Sequence, residues 1–196
     1  MERARITLLT VCGLEELDGH SAGKVTHVLS ILDPAWPDPE GFAAWTRHRR
    51  LTLRFHDIIE PTPGQVLPER EHVEQILAFS EELAADAHER EEGHLLVHCH
   101  MGISRSTAAM TMLLAQAYPD EDEASIVRRL VAIRPQAWPN LRMAGFADEA
   151  LGRGGRLATE VSRLHARQIA DKPHLADVFT RLGRAREVEA ARRLAA

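Results

Sequence analysis

Two cysteines, Cys12 and Cys99, are the only thiols in this sequence. That number excludes a disulfide framework and suits a reducing compartment. No apolar run approaches the ~20 residues that a membrane-spanning helix needs. Arg3 and Arg5, followed by the apolar residues 6–14, loosely mimic a secretory leader. The run is short, lacks an A-x-A cleavage pattern and meets Glu15-Glu16, so it reads as a first strand and the chain as cytoplasmic. Aromatics are sparse at 5%. None is interleaved with the basic positions of the C-terminal segment, as a surface for single-stranded nucleic acid requires, and no nucleic-acid partner is expected. Internal repeats and low-complexity tracts are missing too.

What remains is the composition of an ordinary globular protein: 196 residues, 44% hydrophobic and 27% charged, enough for one real core. The net charge of −5 is unevenly spread, with residues 153–196 at +5 and residues 1–152 at −10. Such a basic tail can meet an acidic partner, although arginines pairing locally on a solvated helical face is the plainer expectation. β-rich apolar runs predict strands over residues 5–10, 25–32, 51–55 and 94–98. Helical spacing predicts helices over 69–90, 107–117, 121–133 (with Asp120 and Glu123 as a capping box) and 141–151. Glycines in 152–155 mark a hinge, and two helical stretches follow. Alternating strands and helices imply an α/β fold, a mostly parallel central sheet of four to five strands flanked by helices on both faces. The domain runs over residues 1–152, with a helical C-terminal extension over 153–196, and a monomer is expected.

The chemistry concentrates in His98-Cys99-His100-Met101-Gly102-Ile103-Ser104-Arg105-Ser106. This stretch follows the apolar run Leu95-Leu96-Val97 and precedes an apolar helix. Strand, short loop and helix N-terminus together build an anion site, because loop amides and the first-turn amides converge on one point. Gly102 is expected to supply the positive φ that turns successive amides inward. A cysteine at the start of such an electropositive loop favours the nucleophilic thiolate. Arg105 at its end offers a planar fork for two phosphate oxygens. His100, Met101, Gly102, Ile103, Ser104 and Arg105 are therefore the expected phosphate-binding residues, with Cys99 as nucleophile, while Cys12 reads as structural.

Cys-x5-Arg in this frame resembles the signature of the cysteine-dependent protein tyrosine phosphatases, more narrowly a compact bacterial-type member of their dual-specificity branch. The resemblance covers roughly residues 5–152, including Pro139-Asn140 and Gly145-Phe146, and leaves the tail unmatched. It implies hydrolysis of phosphate monoesters through a phospho-cysteine intermediate, with no cofactor. It further implies that Ser106 hydrogen-bonds the thiolate, that His98 orders the loop and that Asn140 braces it. A general acid is implied on a loop upstream of the cysteine, after a strand and before a helix, where Asp57 fits. The 42 residues from Asp57 to Cys99 exceed the usual spacing, so Glu60 on the same loop competes, with Asp33 and Asp38 behind it.

Other features stay open at this level. His94, His98, His100 and Cys99 raise the question of zinc. Neighbouring residues on a strand face opposite ways, so no metal is expected. Arg47-His48-Arg49-Arg50 lines a substrate groove or, preferably, ends a solvated helix. Trp36 and Trp45 roof the cleft or anchor a long loop. The loop interior carries none of the lysines that phosphoinositide-specific relatives tend to show. This favours a phosphoprotein, or a small phosphoester, as substrate partner. A sulfurtransferase and a catalytically idle phospho-binding module remain the alternatives.

Overall fold

A computed structural model describes residues 6–21, 23–86 and 93–195. Arg3, Arg5 and the last part of the expected 69–90 helix, Ala87 included, lie outside the described residues. Four parallel strands form one sheet, in the order β1 (Ile6–Cys12), β4 (Gly93–His98), β2 (His27–Leu32), β3 (Arg49–Arg54). β4 is central, pairing Cys12 with His98 on one side and Ser30 with His98 on the other. Every residue of β2 is buried, the pattern of a parallel strand covered on both faces. β1 runs two residues past its expected end and β3 begins two residues early. Arg49 and Arg50 therefore open an edge strand instead of ending a helix. Among the described residues β3 pairs only with β2, and Arg50 reaches Asp38 at 2.8 Å. Charged residues on an unpaired edge also discourage pairing with another chain.

The two faces are covered unequally. Leu29, Ile31, Leu95 and Val97 share one core with Val73 and Ile76 of α1 (Arg70–Asp86), Met110 and Met112 of α2 (Arg105–Ala117) and Ile126 and Leu130 of α3 (Glu123–Ile133). Met143 of α4 (Leu141–Ala150) and Leu157 and Leu164 of α5 (Arg156–Asp171) complete it. The alternate side chains, Cys12, Val28 and Leu96, pack with Leu17 and Phe42 of two short 3-10 helices, Leu14–His20 and Glu40–Ala44. Helices flank both faces as expected, but only one face carries α-helices. α3 starts later than the Asp120–Glu123 spacing implied. Glu121 is drawn to Arg129, 2.6 Å away, and Asp122 caps the helix instead by accepting from the Ser125 amide at 2.6 Å.

The C-terminal segment returns onto this core. At the glycine turn of residues 152–155, the buried Asp148 carboxylate accepts the amides of Gly155, Leu157 and Ala158 at 2.5, 2.6 and 3.0 Å. A carboxylate of α4 thus caps α5, where the helix dipole favours it. α6 (His174–Arg181) and α7 (Ala185–Ala195) follow. Trp138 is stacked between Phe179 (3.8 Å between centroids) and His165 (4.1 Å). Burying Phe179 contributes about 1.5–3 kcal/mol. Several tail arginines meet acceptors of the preceding domain: Arg153 on the Ala115 and Glu121 carbonyls, Arg156 on Glu123, Arg186 on Glu60.

Two buried histidines give the stability a pH dependence. Burial pushes His98 down from 6.5 to about 4 and His165 from 6.5 to about 3, with the charge of Arg184 adding at His165. Both are neutral in the folded chain, whereas the unfolded chain binds their protons from about pH 6.5 downward. Stability is therefore expected intact above that pH and progressively lost as pH falls from 6.5 towards 4. Thermal unfolding at pH 7 and pH 5 checks this. His165→Phe, which keeps a ring against Trp138, should narrow the difference in Tm, and an unchanged difference would contradict the assignment.

Candidate active site

The loop of residues 99–104 leaves the carboxyl end of β4, and its backbone direction is fixed from outside. Each carbonyl from His100 to Ser104 is taken by a neighbour. The His100 carbonyl accepts the Leu14 amide at 2.9 Å, and the Ile103 carbonyl accepts the Trp138 amide at 2.9 Å. Arg134 donates to the Met101 and Gly102 carbonyls at 3.2 and 3.0 Å. The Ser104 carbonyl takes the Ala108 amide at 2.9 Å and the Thr107 hydroxyl at 3.0 Å. A trans peptide sets its N–H opposite its C=O, and no cis bond occurs among the described residues. The N–H groups of residues 101–105 consequently point the other way, towards the inside of the loop. Together with the N-terminus of α2 they make a cradle for an anion.

Gly102 is what allows the loop to close. Its φ is +67°, and a Cβ there would stand 2.4 Å from the Cys12 carbonyl carbon and 2.6 Å from the Gly13 nitrogen. Arg134 itself is held by Glu16, with contacts of 2.9 and 2.8 Å. The hydrogen bond from Arg134 keeps the Glu16 carboxyl below its ordinary range despite some burial. The end of β1, the first 3-10 helix and the residue after α3 thus clamp one side of the cradle. Cys12 lies in this clamp as a buried thiol, pushed up to about 12 by burial and by Glu16. A group held protonated in this way fits a structural role.

Cys99 is buried at the cradle's start, with Sγ 3.2 Å from the Ser106 hydroxyl oxygen. Arg105 is buried at its end. One guanidinium nitrogen, Nη1, donates to Asp33 Oδ1 and to the Phe55 carbonyl, both at 2.6 Å, while its buried Nε has no protein partner. A fork anchored through one nitrogen, with Nε unsatisfied, is oriented to take an anion's oxygens. Asp33 directly follows β2, the neighbour of β4, so both carboxyl ends meet at Arg105. Asp33, a weaker candidate for the acid by sequence, is here the carboxylate that anchors Arg105.

Asp57 sits beside the cradle with its side chain 30% exposed. Its Oδ1 accepts from the Ser104 hydroxyl at 2.8 Å, the Asn140 amide at 3.0 Å and Arg184 Nη1 at 3.0 Å. Burial pushes the carboxyl up, but the charges of Arg184 and Arg105 and the bonds from Asn140 and Ser104 outweigh it and hold the group below its ordinary range. Asn140 also caps α4 through its Oδ1, accepting the Met143 amide at 3.2 Å. The competing carboxylates lie differently: Glu60 is exposed and paired with Arg186, and Asp38 is paired with Arg50 and Arg54.

The three histidines have separate partners. His94 meets the Thr10 hydroxyl at 2.8 Å, His98 the Ser30 hydroxyl at 2.7 Å, and His100 accepts the Asp33 amide at 3.1 Å. Among the described residues no group of three His, Cys, Asp or Glu is set to hold a metal ion. Trp36 stands edge-on to His100 at 4.6 Å and is exposed, as is Met101 of the loop at 69%. Trp45 packs on Phe42 instead and anchors its loop. Arg134, Glu16 and Arg184 were not identified from the sequence. Arg134 follows the last residue of α3 with no sequence mark of its role, and nothing in the tail marks Arg184.

No protein-family model and no curated protein sequence matches the chain. Its fold is that of the dual-specificity phosphatases in solved structures. Human DUSP28 superposes with a TM-score of 0.55 at 18% identity, over 78% of this chain and 96% of its own. The Yvh1 phosphatase domain from Chaetomium thermophilum gives 0.51 at 23% identity, over 76% and 93%. PTPMT1 in complex with PI(5)P gives 0.52 at 13% identity, over 78% and 94%. The α/β fold expected from the alternation of strands and helices, a mostly parallel central sheet flanked by helices, is the fold observed.

The cradle's geometry has a direct test in Gly102→Ala. The strained φ alone costs about 1–3 kcal/mol, and the added methyl meets backbone atoms that cannot move aside. Vanadate binding, measured by calorimetry, should weaken by about tenfold or more in a chain that still folds. Wild-type affinity in the alanine variant would mean that the loop does not hold the anion.

Proposed function

We propose that this chain hydrolyses phosphate monoesters, acting on phosphoprotein, through a phospho-cysteine intermediate. The observation that carries the reading is the inward-facing amide cradle with Cys99 at one end and Arg105 at the other. In the first step the Cys99 thiolate attacks phosphorus and the bond to the leaving oxygen breaks. Arg105 and the loop amides hold the equatorial oxygens as charge spreads over them. Asp57 gives its proton to the leaving oxygen. In the second step Asp57 takes a proton from water, the water oxygen attacks phosphorus, and the Cys99 thiolate departs with the Ser106 hydroxyl as its hydrogen-bond donor.

Asp57 begins as a carboxylate, because Arg184 and Arg105 favour the charged form. A phosphate dianion bound to Arg105 and the loop amides counters that field and favours protonation of Asp57. All three bonds to Asp57 go to Oδ1, so Oδ2 is the oxygen suited to carry the transferable proton. The lysine-free interior, His100-Met101-Gly102-Ile103-Ser104, supports a phosphoprotein over an inositide lipid. Both cysteines are free thiols, and a nucleophile that must stay reduced supports action in the cytoplasm. A sulfurtransferase reading gives Asp57 no task, and an idle binding module gives none to the Cys99–Ser106 contact.

Two experiments test this. Cys99→Ser should abolish turnover of an aryl phosphate while leaving vanadate binding largely intact, since the backbone cradle survives; residual activity near wild type would sink the mechanism. Asp57→Asn should lose about 10²–10⁴-fold on phosphotyrosine, whose oxygen needs a proton, and far less on an activated aryl ester. It should also erase the alkaline limb of the pH–rate profile. An equal response of the two substrates would remove Asp57 from the role, and Glu60→Gln is the control expected to show neither effect.

A further inference from the structure

Arg184 lies in the turn between α6 and α7, and its side chain is only 2% exposed. Its Nη1 stands 2.6 Å from the Ser104 hydroxyl oxygen and 3.0 Å from Asp57 Oδ1. Its Nη2 donates to Glu187 Oε1 at 2.6 Å. Glu187, fully buried, also accepts the Trp138 indole N–H at 2.7 Å and the Leu141 amide at 2.8 Å. The guanidinium is thus fixed from behind by the segment that carries Asn140, another donor to Asp57. A buried arginine–glutamate pair is weak evidence for stability, since apolar residues of like volume fill such a space as well. An apolar pair would not set a cation 3.0 Å from the carboxylate assigned as proton donor.

Resting on the reading of Asp57 as that donor, we propose that Arg184 is a positioning residue of this site. It ties the acid loop to the phosphate loop through Asp57 and Ser104 and sets a fixed cation against the Asp57 carboxylate, so the C-terminal segment completes the site. Asp57 is faced by Arg184 from the α6–α7 turn, by Arg105 from the start of α2 and by His100 from the phosphate loop. Cys99 and Glu187 face Arg184 in turn. Ser104 and Asn140 contribute hydrogen bonds without charge. Arg184 and Arg105 are the two cations among these, and only Arg105 belongs to the Cys-x5-Arg motif. The next arginine of the tail, Arg186, reaches Glu60 on the same acid loop at 3.0 Å, so the start of α7 grips that loop at two points.

The test follows the Asp57 carboxyl directly, by carbon NMR of the full chain labelled at aspartate, with Asp57→Asn to assign the signal. Arg184→Met and Arg184→Gln remove the charge. Gln keeps a polar group in the buried slot in case Met unfolds the chain. Both should raise the Asp57 midpoint by about one pH unit or more, and Arg184→Lys should keep it near wild type. The alkaline limb of kcat/KM should move up with the midpoint, and at pH below that limb, where Asp57 is protonated in every variant, the lost positioning should lower rates on poor leaving groups more than on good ones. Damaged packing alone would lower rates evenly, with the limb in place. An unmoved midpoint in folded Arg184→Gln overturns the proposal. A wild-type chain that hydrolyses no aryl phosphate, with a midpoint that does move, overturns the phosphatase reading and the proton-donor role instead, and leaves the hold of Arg184 on Asp57 standing.

Discussion

The outward turn of five consecutive carbonyls is the constraint on which the site depends. A loop can face its amides inward only if its carbonyls find donors on the far side, and buried carbonyls left without donors cost about 1–3 kcal/mol each. Here the donors come from widely separated segments: the Leu14 amide, the Arg134 guanidinium, the Trp138 amide and the first turn of α2. The end of β1, the end of α3 and the segment before α4 are therefore all committed to one short loop. The anion cradle is a product of the whole domain's packing more than of the loop sequence.

That dependence explains what the sequence disclosed and what it withheld. Strand, loop and helix around Cys99 were legible because they rest on local chemistry: an apolar run, a glycine able to take φ of +67°, and an apolar helix. The parallel sheet followed from the alternation of strands and helices. Asp57 was legible only through the resemblance, by its place after a strand. The Asp120–Glu123 capping box misled because local spacing cannot foresee Glu121 turning to Arg129. Arg134 and Arg184 were invisible for a different reason. Arg134 meets Gly102 across 32 residues and Arg184 meets Asp57 across 127, and an arginine carries no mark of a distant partner.

The charge imbalance between the first 152 residues and the tail has a similar resolution. Read alone, a tail at +5 beside a domain at −10 suggests an outside partner. In the fold, Arg156 meets Glu123, Arg186 meets Glu60 and Arg184 meets Asp57. The exposed pairs contribute little each, while the buried Arg184 is tied to Glu187 three residues on, in the first turn of α7. Part of the opposite charge that a partner would supply is supplied within the chain.

Gathering cations around an anion site raises a problem of its own, because guanidinium groups brought close together repel. The structure meets it by giving each arginine a carboxylate partner: Asp33 for Arg105, Glu16 for Arg134, Glu187 for Arg184. Asp57 is the exception, since the charges of two arginines, Arg184 and Arg105, both favour its ionised form while only Arg184 is bonded to it. A carboxylate in that position responds to any change in the charge held by Arg105. On the reading proposed above, a phosphate group bound there weakens one of its two cationic neighbours and leaves the other, which changes the proton affinity of Asp57. Coupling of this kind needs Asp57 rigidly placed, and the three donors on Oδ1 provide that rigidity from three elements at once: the phosphate loop, the N-cap of α4 and the turn before α7.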